Sequence, residues 1–375
     1  MSRQTYLDWN ATAPLRPEAA AAISAALTES GNPSSVHRWG RAARQRVERS
    51  REQVAALVGA PPEGVVFVSG GSEANHLALI GSGRERALVS AVEHHSVLHA
   101  MHTAELIPVD GDGIVDLERL DRMLADDPRP ALVSVMFANN ETGVIQPIAD
   151  IARIAYAHGA LFHCDAVQAA GKMTLAVDAI GADLISLSAH KLGGPPGIGA
   201  LVIASGVELK PMIRGGGQER GRRAGSENLP GIAGFAAAAD AAASEIAEYE
   251  QVRHLRDKLE AAIAAVAPDA VVVGGGGARL PNTSAIAMRG ISAETQIIAL
   301  DLDGVMVSAG AACSSGKVGP SHVLAAMGVP TEIAGSTIRV SLGWTTSDAD
   351  IAHFLDGWTG LYRRHRGRMN AARAG

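Results

Sequence analysis

The segment Asp183–Gly199, DLISLSAHKLGGPPGIG, places the short run Leu184-Ile185-Ser186-Leu187-Ser188 before Ala-His-Lys and then a glycine- and proline-rich loop. A run that short, bounded by turn residues, is a strand rather than a helix. The pattern recurs at Val65–Val68, Ala87–Ser90, Leu132–Met136, Leu161–Cys164 and Leu201–Ile203, with helical segments such as Ala74–Ile80 and Ile148–His158 between the runs. Strands alternating with helices predict an α/β fold built on a mainly parallel sheet. In such sheets ligands bind beyond the carboxyl ends of the strands. Asn140, Asp165, Gln168, Ser188, His190 and Lys191 all fall at those ends.

Aromatic residues are only 3% of a chain that is 47% hydrophobic, so aliphatic side chains must fill the core. At 375 residues there is length for two domains. The expected division is an opening segment, 1–15, packed with a smaller domain, a large domain over 16–247, and a small α+β domain over 248–375. Its boundary falls inside a long alanine-rich helical stretch, near Glu245–Glu250. A formal charge of −6 spread along the chain argues against a nucleic-acid surface. The basic tail Tyr362–Arg373 reads as a solvated helix end. No apolar run has membrane length and MSRQTYLDWN shows no signal-peptide pattern, which gives a cytoplasmic expectation. Two cysteines, Cys164 and Cys313, build no disulfide framework in a reducing compartment.

Four features carry chemistry. Lys191 at a strand end is either a solvated cation or an amine tuned for covalent chemistry with an aldehyde. Val65–Val68 followed by Ser69-Gly70-Gly71-Ser72-Glu73 and a helix is a recipe for an anion site, although a plain helix cap at Ser72 fits as well. The loop Ile213–Ser226, rich in glycine and arginine, is either a surface loop or a phosphate-binding arm. His94, His95, His99 and His102 raise a metal cluster, but no carboxylate or thiolate stands at ligand spacing. An aldehyde cofactor with a phosphate and a basic ring nitrogen needs a lysine, an acid, a stacking group and a phosphate cradle. Lys191, Asp165, His94 and Gly71-Ser72 are the candidates.

The motifs LDWNATAPL, GNPSSVH, NNETGVIQPI, DAVQAAGK, SAHKLGGPPGIGAL, GGGQERGRRAGSENLPGI, ACSSGKVGPSHVLAAMG and IRVSLGWTT, in this order, resemble the class V aminotransferase-like, fold-type I pyridoxal phosphate enzymes. Within them the chain resembles the cysteine desulfurases of the NifS and IscS type. The resemblance implies pyridoxal 5'-phosphate held by Lys191 as a Schiff base, with Asp165 at the pyridine nitrogen, His94 stacked on the ring and Gln168 at the ring hydroxyl. Gly71, Ser72, Ser188 and His190 would hold the phosphate, joined by Ser226 from the second subunit of a homodimer. Arg339, helped by Asn140, would bind the substrate carboxylate; Asn10 is a further substrate-binding residue and Asn140 also a cofactor-binding one.

Cys313 would take sulfur from L-cysteine as a persulfide, leave alanine, and pass the sulfur to an iron–sulfur scaffold or another acceptor protein. No resident metal is implied, contact of the persulfide with an iron–sulfur cluster being transient. Cys164, at the end of an apolar strand, is expected to pack in the core. The chain departs from the family pattern at Ser-Gly-Gly-Ser-Glu, where Ser-Gly-Ala-Thr-Glu is common, and at Ser-Ala-Gly-Ala-Ala before Cys313, where two hydroxyls are lost. A selenocysteine lyase or aminotransferase of the same fold, and a partner-dependent sulfur-relay scaffold, are the alternatives.

Overall fold

The structure, a computed structural model, describes residues 3–310 and 321–374, with side chains as far as residue 367. A seven-stranded sheet forms its centre, in the spatial order Val65–Val68, Gly199–Ile203, Leu184–Ser188, Leu161–Asp165, Ala131–Ser134, Arg86–Ser90 and Glu105–Ile107. The neighbours from Leu184–Ser188 to Glu105–Ile107 pair in parallel. Gly199–Ile203 runs antiparallel to both of its neighbours. Val65–Val68 therefore points the same way as the parallel strands, and its carboxyl end reaches the same edge.

The one reversed strand depends on a glycine. Gly199 lies between Val68 and Ser188 in the register. A Cβ there would sit 2.6 Å from the Leu187 carbonyl oxygen and 2.7 Å from the Gly70 carbonyl carbon. Only glycine lets the returning strand pass this close to the turn after Val68.

Apolar side chains on both faces of the sheet are covered, as a mainly parallel sheet requires. Val133, Phe162, Ile185 and Leu187 join one cluster, which includes Val54 from the helix Arg38–Leu57 and Phe235 from the helix Leu229–Ser244. Leu132, Leu184 and Leu201 join another, with Leu77 and Ala78 of the helix Gly71–Gly81. Cys164 is fully buried in the first cluster, and burial pushes its thiol well up, in accord with a packing role.

A separate four-stranded antiparallel sheet takes in Val271–Val273, Thr283–Ala287, Ser308–Ala309 and Thr337–Ser341. Its cluster includes Leu7, which is completely buried against residues such as Ile286, Val340 and Phe354. Thr5–Tyr6 pairs in parallel with Val305–Met306. Between the helices Leu229–Ser244 and Tyr249–Val266 a single tight turn, Ile246–Glu248, interrupts the alanine-rich stretch. The final helix runs Asp348–Ala374, ten residues beyond the Ser347–Arg364 expected from sequence. Tyr362 pins its later part by donating to Asp269 Oδ1 at 2.6 Å.

Candidate active site

A cavity of about 300 Å³ opens at the carboxyl edge of the large sheet. Asn10, Gly71, Ser72, His94, Asn140, Asp165, Gln168, Ser188, His190, Lys191 and Arg339 all line it. Each of these was proposed from sequence, and the fold brings them together from the opening segment, five strand ends and the smaller sheet. Ser226 is exposed and is not among the lining residues of its own chain. Cys313 lies outside the described residues.

Asp165 is the last residue of its strand, and its carboxylate accepts twice. Oδ1 takes the Val167 N–H at 3.0 Å and Oδ2 takes Asn75 Nδ2 at 2.8 Å. The same Asn75 nitrogen donates to Ser96 Oγ at 2.8 Å, and Ser96 Oγ lies 2.8 Å from His94 Nδ1. The Ser96 backbone N–H also donates to His94 Nδ1, at 3.1 Å. With Nδ1 an acceptor, the neutral His94 ring carries its proton on Nε2. Burial, with the Lys191 charge adding to it, lowers the His94 pKa against the opposing pull of Asp165. Asn75 and Ser96 also line the cavity, and nothing in their local sequence marks them.

Lys191 follows its strand in a tight turn, Ala189–Lys191, and donates to the backbone oxygens of Asn10 at 2.6 Å and Ala11 at 2.8 Å. Beside it, His190 is pushed down to about 4 by burial and by the Lys191 charge, so its imidazole is neutral at pH 7. The helix after Val65–Val68 starts at Gly71, three residues earlier than expected, with Gly70 at its cap position and no side chain capping it. Ser72 is thus inside the first turn rather than at the cap, which removes the plain-cap reading. Backbone N–H groups and a hydroxyl meet the cavity there, where the helix dipole favours an anion.

Arg339, buried but also lining the cavity, donates to Asp8 Oδ1 at 2.7 Å and to the Asn140 carbonyl at 3.2 Å. Its Nε is buried and has no hydrogen-bond partner. An unspent guanidinium donor in a cavity wall suits a carboxylate ligand. Asn10 differs from expectation in how it is used. Its Oδ1 accepts from Lys172 and Asn282, and its Nδ2 donates to the Asn140 carbonyl and Thr283 Oγ1. Both lone pairs and both protons of the amide are spent inside the protein.

The residues on either side of 311–320 meet one carboxylate. Ser321 Oγ donates to Glu141 Oε2 at 2.6 Å, and a Cβ on Gly310 would lie 2.3 Å from the same oxygen. The chain therefore leaves and returns beside Asn140. The glycine–arginine loop sends its charges elsewhere than the cavity: Glu219 pairs with buried Arg51 at 2.7 Å, and Arg223 with Glu73 at 2.9 Å. His95 packs against both His99 and His322, with ring centroids 5.0 and 4.5 Å away. Among the described residues no group of three or more His, Cys, Asp or Glu is arranged to hold a metal.

An amine, a doubly hydrogen-bonded carboxylate, a neutral imidazole and an uncapped helix start around one cavity are the kinds of group that a phosphorylated aldehyde cofactor of the pyridoxal type requires. The aminotransferase class-V family model matches residues 5–354, and the chain belongs to this pyridoxal-phosphate-dependent family. It is 41% identical to the cysteine desulfurase IscS of Dictyoglomus turgidum, over 95% of this chain and 94% of that protein. It is 45% identical to a cysteine desulfurase of Cereibacter sphaeroides, over 94% of each. Among solved structures, the NifS-like protein of Rickettsia africae ESF-5 superposes with a TM-score of 0.89 at 36% identity, covering 96% of this chain and all of that one.

Proposed function

We propose that the protein is a pyridoxal-phosphate-dependent L-cysteine desulfurase that converts L-cysteine to L-alanine and holds the sulfur as a persulfide on Cys313. The observation that carries this reading is the cavity itself: Lys191 and Asp165, from adjacent parallel strands, share it with Arg339, whose buried Nε has no hydrogen-bond partner. Similarity to cysteine desulfurases over nearly the whole chain supports the substrate.

Pyridoxal phosphate, when bound, supplies an electron sink that loosens bonds at the α-carbon of an amino acid. The residues present suit it: Lys191 to hold it, Asp165 at its ring nitrogen, Gln168 at its ring oxygen, His94 against its face. Gly71, Ser72, Ser188 and His190 form the phosphate end. Arg339 binds the substrate carboxylate with a planar fork, and the Asn140 backbone holds that fork in place. Lys191 then carries protons to and from the substrate α-carbon, and neutral His94 offers a proton at Nε2.

The Cys313 thiolate attacks the substrate sulfur. The carbon–sulfur bond breaks, its electron pair stays with the carbon skeleton, and a sulfur–sulfur bond forms. A proton taken up at carbon completes alanine, so one L-cysteine and one thiol give one alanine and one persulfide. The persulfide passes to a sulfur-acceptor protein, among them scaffolds of iron–sulfur cluster assembly. The working form is a cytoplasmic homodimer in which Ser226 of each chain completes the phosphate end of the other's site. Its exposure outside its own chain's cavity supports that reading.

Purified protein reconstituted with pyridoxal phosphate is expected to be yellow, to run as a dimer in light scattering, and to form alanine from L-cysteine. A protein that binds no cofactor would overturn the reading.

A further inference from the structure

Lys172 is a second buried lysine close to the site, and nothing in the proposed chemistry uses it. Its side chain is only 3% exposed and does not line the cavity, so it touches no ligand there. Its Nζ donates to Asn10 Oδ1 and to Gln168 Oε1, each at 2.9 Å, and both acceptors are neutral amides. Burial, then the Lys191 and Arg339 charges, pushes its pKa well down. The two amide oxygens take two of the amine's N–H groups.

The consequence lies in Gln168. A glutamine amide has two orientations of nearly equal shape, and only its partners choose between them. The Lys172 donor requires Oε1 on its side. Nε2 then donates one N–H to the Asn10 carbonyl at 3.0 Å, which leaves the second N–H for the cavity that Gln168 lines. The same Asn10 carbonyl receives Lys191 Nζ. Lys172 thus braces both Gln168 itself and Asn10, the residue whose carbonyl receives Gln168 and Lys191.

The geometry points to Lys172 as a positioning residue that locks the Gln168 amide with a donor toward the cofactor's ring oxygen. This rests on the proposed cofactor reading. Removing Lys172 leaves Gln168 Oε1 buried without a partner and the amide orientation unsecured.

The test is a double-mutant cycle read by pyridoxal phosphate binding to the full apoprotein, with the dissociation constant and the visible absorption band recorded for native, Lys172→Met, Gln168→Met and the double variant. Each single change is expected to weaken binding about tenfold and to shift the band in the same direction. The double variant is expected to be no weaker than Gln168→Met, because one change acts through the other. Effects that multiply, or a Lys172→Met chain with the native constant and band, would overturn the inference. So would a Gln168→Met chain with native binding, or a Lys172→Met chain that no longer folds, which makes the role structural. A native protein that binds no pyridoxal phosphate overturns the functional reading instead, before any variant is compared.

Discussion

Asn75 Nδ2 bridges Asp165 Oδ2 and Ser96 Oγ, 2.8 Å from each, and so ties the acid of the site to the chain that orients His94. One amide thereby sets two groups, one at a strand end and one at a helix start. Asn75→Ala removes both bonds and is expected to lower kcat/KM for L-cysteine about tenfold, the effect of one to two lost buried hydrogen bonds. Steady-state kinetics with the cofactor band as a loading control checks this; an unchanged kcat/KM would dismiss the bridge.

Arg339 offers a buried Nε and a planar fork held by Asp8 and the Asn140 carbonyl. Lysine keeps the charge and loses the fork. Arg339→Lys is therefore expected to raise KM for L-cysteine roughly 10- to 100-fold, the range for a lost charge-assisted hydrogen bond, with a smaller change in kcat. A KM within twofold of native would place carboxylate binding elsewhere.

Glu219 accepts from Arg51 through both oxygens and from the Phe67 N–H, with both charged side chains buried. Glu219→Ala leaves the buried Arg51 guanidinium with only the Val65 carbonyl and the half-exposed Glu48 carboxylate. The expected cost is about 3–5 kcal/mol in urea unfolding, far above that of an exposed ion pair. A loss below about 1 kcal/mol would show the pair to be dispensable.

His163 sits fully buried between Ser134 Oγ at 2.8 Å and Ser186 Oγ at 2.9 Å, and burial lowers its pKa to about 3. The unfolded chain takes up this proton near pH 6.5 while the folded chain does not. Its contribution to stability is therefore complete above about pH 6.5 and falls by about 1.4 kcal/mol per pH unit as pH drops toward 3. Unfolding midpoints at pH 7 and pH 5 are expected to converge more in His163→Gln than in native protein. Equal pH dependence in the two would contradict the assignment.

Much of this site is written in the sequence because short apolar runs that stop at polar clusters specify strand ends. Val65–Val68 and Leu184–Ser188 match the structure to the residue. The direction of Gly199–Ile203 is not written there, since all five residues are buried and a fully buried strand has no alternation to read. Glu105–Ile107 and the helix Leu117–Asp126 are weakly marked in the sequence: the first is three residues long, and the second is amphipathic but flanked by a turn-rich segment. Asn75 is not marked either, because its partners are 21 and 90 residues away and a polar residue in a helix carries no sign of what it meets. Arg339 reached the site only through resemblance, since a lone arginine in an apolar strand has no local signature.

The central claim is that sulfur leaves L-cysteine through Cys313. The most direct measurement is simultaneous assay of alanine and sulfide from L-cysteine with a thiol reductant, for native protein and Cys313→Ala, with the cofactor band recorded in both. The account predicts equal yields of the two products in native protein, and their loss in Cys313→Ala with the band retained. A Cys313→Ala chain that still releases both products at the native rate would contradict it.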